Sequence, residues 1–342
     1  MEPYECAACP CESGQRYVEC CLPRHLESSR RNRAAEFRSE LQKSITGRNF
    51  SSLDEANAFL RVFHERRNAE PKADFMGLSS NQIAGLLGEL PALEPGILRV
   101  KTGFPAEFLD GIPVVADARF FLGLLAEAEP LKATATGNLP RAFALRLFEQ
   151  VERSEFKKFI RLRSEKDSMA VESLRRLLEL AGWIRKVKGS FRLSRRGRSV
   201  LEAGLSPAQF GELFHVFANR FNWSYQDGYE EFAILQRAWP FSLYILHKKA
   251  RQKIDSHSVS PHFVRAFPGI LAEVRSAWRS VFATVDGCFV LRFLERCCAH
   301  FGLIEIIEPA ERSGHTFNFR VSPLFDRFLA WEFNPPLRAR VH

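Results

Sequence analysis

The chain lacks the long apolar runs a membrane span requires. None approaches ~18 residues, and the apolar stretch from Phe120 to Ala126 soon meets acids. A secretory leader is also missing: Met1-Glu2-Pro3-Tyr4-Glu5 has neither a basic start nor an apolar segment behind it. These absences point to a cytoplasmic protein without a membrane partner. Nor is there a phosphate-cradling glycine loop, a Gly-x-Ser-x-Gly elbow, a His-Glu-x-x-His pair or a dinucleotide fingerprint. The 9 histidines are scattered, and apart from His25 none has a visible partner. No catalytic residue is nominated, and an enzyme with an unrecognised site is the least favoured reading.

What is present describes a folded protein. Of 342 residues 46% are hydrophobic and 26% charged, enough for two or three domains with sizeable cores. Phenylalanine is abundant at 31, which suggests aromatic-rich packing. The formal net charge of +9 is unevenly spread. Between Arg141 and Val200 there are 17 Lys/Arg against 7 Asp/Glu, and Ala181 to Val200 holds 7 basic residues and no acid. A local surplus of this kind attracts polyanions, although a solvated basic face has the same composition.

Five of the 8 cysteines fall in the first 21 residues. Cys9-x-Cys11 can grip an ion from one turn, Ser13-Gly14 bends the chain back, and Cys20 and Cys21 close a thiolate tetrahedron. Zinc is the ion such a set suits, in a structural role, because four thiolates leave no open position. Cys6 or His25 can stand in for one ligand. Disulfides fit poorly in a reducing compartment. A second spacing, Cys288-x8-Cys297-Cys298, falls within one helix, too extended for a shared ion, and reads as buried apolar thiols.

At Cys9, Pro10, Cys11, Ser13, Gly14, Tyr17, Cys20 and Cys21 the chain resembles the SEC-C motif of the preprotein translocase ATPase and of many bacterial proteins. Glu12 stands where that motif usually has glycine. The resemblance implies a zinc-bound interaction module. Together with Asp74 to Gln82, Thr134 to Arg141 and Ser322 to Asp326, it extends to bacterial SEC-C-containing proteins with winged-helix-like regions, and it implies no activity.

The expected fold class is mainly α with small β-hairpins (α+β): an N-terminal zinc knuckle, a helical region and one or two winged-helix-like units. The expected division is 1–25 zinc knuckle, 26–112 helical region, 113–204 winged-helix-like domain with a basic wing, 205–267 aromatic-rich helical connector, and 268–335 a second, divergent winged-helix-like domain. Ser79 with Gln82 and Ser206 with Gln209 read as capping boxes. Over 117–203 the order is helix, strand near Lys132 to Thr136, helix from Pro140, charged connector, helix Met169 to Ala181, a glycine stop, then two strands around Lys188-Gly189-Ser190. Gly302-Leu303-Ile304 and Phe319 to Ser322 echo Gly182-Trp183-Ile184 and Phe191 to Ser194. The aromatic stretch from Phe221 to Tyr244 reads as interdomain core or as an exposed groove.

Two functions follow. The first is nucleic-acid binding, with DNA as the expected partner: Arg175 and Arg176 face out from the third helix, and Arg185, Lys186, Lys188, Arg192, Arg195, Arg196 and Arg198 form the wing and its flank. The alternative is a protein-interaction adaptor using the knuckle and the winged helices.

Overall fold

The computed structural model describes residues 21–87, 97–153, 155–225, 227–275, 280–308 and 316–333. Among the described residues the protein is mainly helical, with three small antiparallel sheets. Cys9, Cys11 and Cys20 lie outside the described residues, and Cys21 opens the first helix without a described side chain. Helices α1 (Cys21–Ile45) and α2 (Leu53–Ala69) form an amino-terminal pair joined by Phe37 against Phe63 and by an Arg67–Glu40 ion pair. Ser52 caps α2, and Asp54 and Glu55 occupy its first turn, where the helix dipole favours acids. The Ser79–Gln82 capping box starts α3 (Ser80–Leu87). Strand β1 (Leu98–Val100) then pairs with β8 (Leu329–Trp331), joining the early chain to its far end.

Two units of one design fill the rest. The first runs α4 (Pro113–Ala128), β2 (Leu131–Lys132), α5 (Arg141–Val151), α6 (Met169–Leu180), β3 (Ile184–Val187), β4 (Ser190–Leu193) and α7 (Arg195–Ala203), with sheet order β2-β4-β3. Helices α8 (Pro207–Asn219) and α9 (Ala233–Arg237) follow, α8 opened by the Ser206–Gln209 box. The second runs α10 (Trp239–Lys249), β5 (Ile254–Asp255), α11 (Ser260–Ala266), α12 (Val281–Phe289) with a wider π-helical continuation (Val290–Ala299), β6 (Ile304–Glu308), β7 (Asn318–Val321) and α13 (Pro323–Phe328), with sheet order β5-β7-β6. The strand that completes the second sheet thus lies inside the segment that reads from sequence as a connector. Two residues are too few to show an alternating pattern.

The likeness extends to single hydrogen bonds. Gly182 and Gly302 end the third helices at φ 71° and 65°, a left-handed turn that glycine adopts without penalty. Trp183 then donates to Leu178 O and Leu303 to Cys298 O, and Ser194 and Ser322 donate back to Trp183 O and Leu303 O. Each serine caps the helix that follows, which places Arg195, Arg196 and Arg198 on α7 instead of an irregular flank.

Residues 220–225 and 227–231 act as a strap between the two units. Phe221 and Trp223 are buried in it, with Trp239 and Phe241 buried just after, so the aromatic run is core and not a groove. On one side the Tyr225 hydroxyl donates to Glu172 of α6 at 2.7 Å and accepts from Arg176 at 2.6 Å. On the other, Asp227 receives a two-pronged bond from Arg292 at 2.7 and 2.8 Å and a third from Arg296 at 3.2 Å. The Asp227 and Arg292 side chains are 0% and 1% exposed. Arg292 also donates to the Glu230 and Glu231 carbonyls. Removing one partner of such a pair strands a charge in a dry interior, at about 3–5 kcal/mol. We expect Asp227→Ala to lose about that much in urea unfolding, and the double Asp227→Leu/Arg292→Met to recover part of it; an unchanged midpoint for Asp227→Ala would contradict this placement.

Candidate nucleic-acid interface

The first sheet carries the basic hairpin. Ile184 and Leu193 face inward from β3 and β4, and Phe191 beside them is fully buried. Alternation then turns Arg185 and Arg192 to the outer face. They are direct cross-strand partners, so two cationic side chains leave the same face of the ladder from opposed positions. Lys188, at φ 49°, holds the tip. Lys186 is tied back: its ammonium donates to Gly137 O and lies 5.0 Å from the Phe191 ring.

Charge pairing sorts the predicted residues. Arg185, Lys188, Arg192 and Arg195 make no ion pair with another described residue. Arg196 pairs with Glu212, and Arg198 with Glu129 at 2.6 Å. Arg175 does not face out. Its side chain is 6% exposed and held by Glu165 at 2.9 Å, Glu179 at 2.6 Å and Glu172 at 3.7 Å. Arg176 is bound into the Glu172–Tyr225 contact, its guanidinium 4.3 Å from the tyrosine ring. Burial works against its charge, but the contacts to Glu172 and Tyr225 together outweigh that and raise its pKa.

The third helices are covered. No residue of α6 is exposed, and along Val281 to Ala299 only Ala283 is. Helix α8 and Tyr225 lie against α6, and Arg296 of the second unit reaches Met169 at its start. Neither helix can enter a major groove from this position. At the register of Arg185 and Arg192 the second sheet carries Glu305 opposite Arg320, and those two form a 2.9 Å ion pair.

Sequence reasoning missed two histidine centres. His257 holds Asp286 through Nδ1 at 2.5 Å and Thr316 through Nε2 at 3.0 Å, while Ser260 donates to the other Asp286 oxygen. His300 contacts Asp117 at 3.1 Å, and Arg153 grips the same carboxylate at 2.6 and 2.8 Å. Burial pushes the Asp117 carboxyl up, but bonds from Arg153 and His300 win and hold it below its ordinary value. The partners lie 29 and 183 residues apart, so no local spacing announces them. Cys288, Cys297 and Cys298 are buried, and burial pushes the Cys288 thiol up to about 12, out of the range of a nucleophile or a metal ligand at neutral pH.

Residues 110–206 match the family described as the Y4jL N-terminal domain. The match begins just before α4 and ends at the cap of α8, so it coincides with the first unit. No match was found among curated proteins or among solved structures. The resemblance to SEC-C proteins is overturned: the matching family is a different one, and among the described residues no group of three or more His, Cys, Asp or Glu is placed to hold a metal ion.

The Asp286 hydrogen bond raises the His257 pKa above its ordinary 6.5, against burial that lowers it, with Asp286 and Asp255 as the facing charges. A raised value stabilises the fold fully below the unfolded pKa of ~6.5 and is lost as pH rises through the folded one. We therefore expect the melting temperature to fall from pH 6 toward pH 9 more steeply in the native protein than in His257→Gln; parallel profiles would exclude the coupling.

Proposed function

We propose that the protein binds the sugar-phosphate backbone of nucleic acid, DNA by preference, through the basic hairpin of its first unit. The observation that carries this reading is the Arg185–Arg192 pair. Like charges directly opposite in an antiparallel ladder destabilise it. The equivalent position of the second sheet carries an attractive pair. A phosphate between the two arginines, flanked by Lys188 and Arg195, relieves the repulsion that no described carboxylate relieves. The order helix, strand, helix, helix, strand, strand, with the last strand in the middle of each sheet, supports a winged-helix reading of both units. With the third helix covered, the contact is to backbone and carries no base readout.

Phosphate contacts displace counterions, at about 0.9 per contact on duplex. Four cations correspond to a log–log salt slope of about −3 to −4. We expect Arg185→Glu/Lys188→Glu/Arg192→Glu to lower duplex affinity at least tenfold and to flatten that slope. Arg196→Ala/Arg198→Ala, whose side chains are already paired, should change it little. Affinity of the native protein that is flat in salt would sink the proposal.

Protein docking is a second reading, favoured by Ile306 and Ile307 exposed on the second hairpin. Partners retained on the protein after nuclease treatment, and lost on Ile306→Ser/Ile307→Ser, would favour it.

For the amino terminus we propose zinc on Cys9, Cys11, Cys20 and Cys21, on the chemistry of four thiolates alone. Elemental analysis of protein purified without chelator should find about one zinc per chain, lost in a variant with all four replaced by serine.

A further inference from the structure

A second cationic site lies on the other unit. The last turn of α10, the end of α11 and the turn around Met76 enclose a shallow depression of about 440 Å³, lined by Ala73, Met76, Lys248, Lys249, His262 and Arg265. No carboxylate of a described residue lines it. Lys248, Lys249 and Arg265 make no ion pair with another described residue. The carbonyl end of a helix attracts a cation by itself. Two helix ends account for two cations, yet α10 alone brings two lysines, and Arg265 faces them from α11.

The walls are fixed. The Lys248 ammonium sits 5.5 and 5.6 Å from the Tyr244 and Phe333 rings, which holds it at the rim. The Tyr244 hydroxyl donates to Met76 O at 3.2 Å and clamps the turn, where Met76 adopts φ 54°, a left-handed conformation uncommon outside glycine. Lys72 donates its amide to Leu78 O across that turn and accepts from Gly77, so the loop is closed on itself. Asp74, in the same turn, is exposed and outside the lining.

We propose that this depression binds a phosphate group; resting on the nucleic-acid reading above, a nucleic-acid phosphate is the source the test puts first. Lys249 and Arg265 supply the contacts and Lys248 the rim charge. The test measures binding of a labelled 40-nucleotide duplex by the native full chain, by Lys249→Glu/Arg265→Glu, by the milder Lys249→Gln/Arg265→Gln, and by the hairpin triple variant. Pyrophosphate is titrated separately against the same proteins, with amide shifts as readout. The depression variants should weaken duplex binding about 3- to 10-fold and flatten the salt slope by about 1 to 2. Saturable pyrophosphate shifts should centre on Lys249, His262 and Arg265.

If only the hairpin variant weakens duplex binding and pyrophosphate moves nothing at the depression, this inference fails and the hairpin reading stands. If only the depression variants weaken binding, the hairpin reading fails and the phosphate site is retained. If no variant has an effect, both fall. Pyrophosphate binding lost in the depression variants, with duplex affinity unchanged, keeps the chemistry but moves the source to a free phosphate compound.

Discussion

Asp227 carries its charge in a place water does not reach, and the arrangement of both units follows from meeting that charge. Removing a carboxylate from water costs several kcal/mol unless its oxygens are filled. Arg292 fills both and Arg296 adds a third bond. Burial lowers the pKa of Arg296, and the attraction of Asp227 only partly restores it, so its proximity to Arg292 is tolerated because the carboxylate lies between them. The π-helical widening from Val290 to Ala299 is where both arginines reside, and wider turns of this kind recur where side chains must be aimed. Two residues earlier Tyr225 does for the first unit what Asp227 does for the second.

That junction decides which surfaces remain for function. The third helix of each unit is covered, α6 by α8 and Tyr225, and the hairpins of the two units have diverged. One sets arginine against arginine; the other sets glutamate against arginine. The first spends stability at the surface and the second recovers it, so at this position one hairpin face is positive and the other neutral.

The sequence exposes this fold unevenly. Signals that act over three or four residues are legible: the Ser79–Gln82 and Ser206–Gln209 boxes, the glycine stops at 182 and 302, and the basic hairpin between Ile184 and Leu193. Buried charge is not. Arg175 shares a helix face with Val171, Leu174 and Leu178, and its burial rests on Glu172 and Glu179 of its own helix together with Glu165, delivered by a capped turn ten residues earlier. The two partners within α6 stand at helical spacing, but nothing in that helix announces the third, Glu165, which turns the arginine inward. The same blindness hid His257 with Asp286 and β5 with β7, each a pairing across distant chain. The amino-terminal cysteines illustrate the reverse. Their local pattern is vivid, and the family likeness it suggested was wrong, because fifteen residues of spacing constrain a metal's chemistry far better than they constrain ancestry.

The strap sits between the two units in the chain as well as in space, and this imposes an order of events during synthesis. Tyr225 emerges after α6 is complete and can dock on it at once. Asp227 must wait for Arg292, which lies 65 residues downstream and leaves the ribosome roughly 3–13 s later at 5–20 residues per second. For that interval a nascent chain displays an aromatic segment fastened at one end and an unmatched acid at the other, so the strap can close on the first unit well before its contact with the second can form.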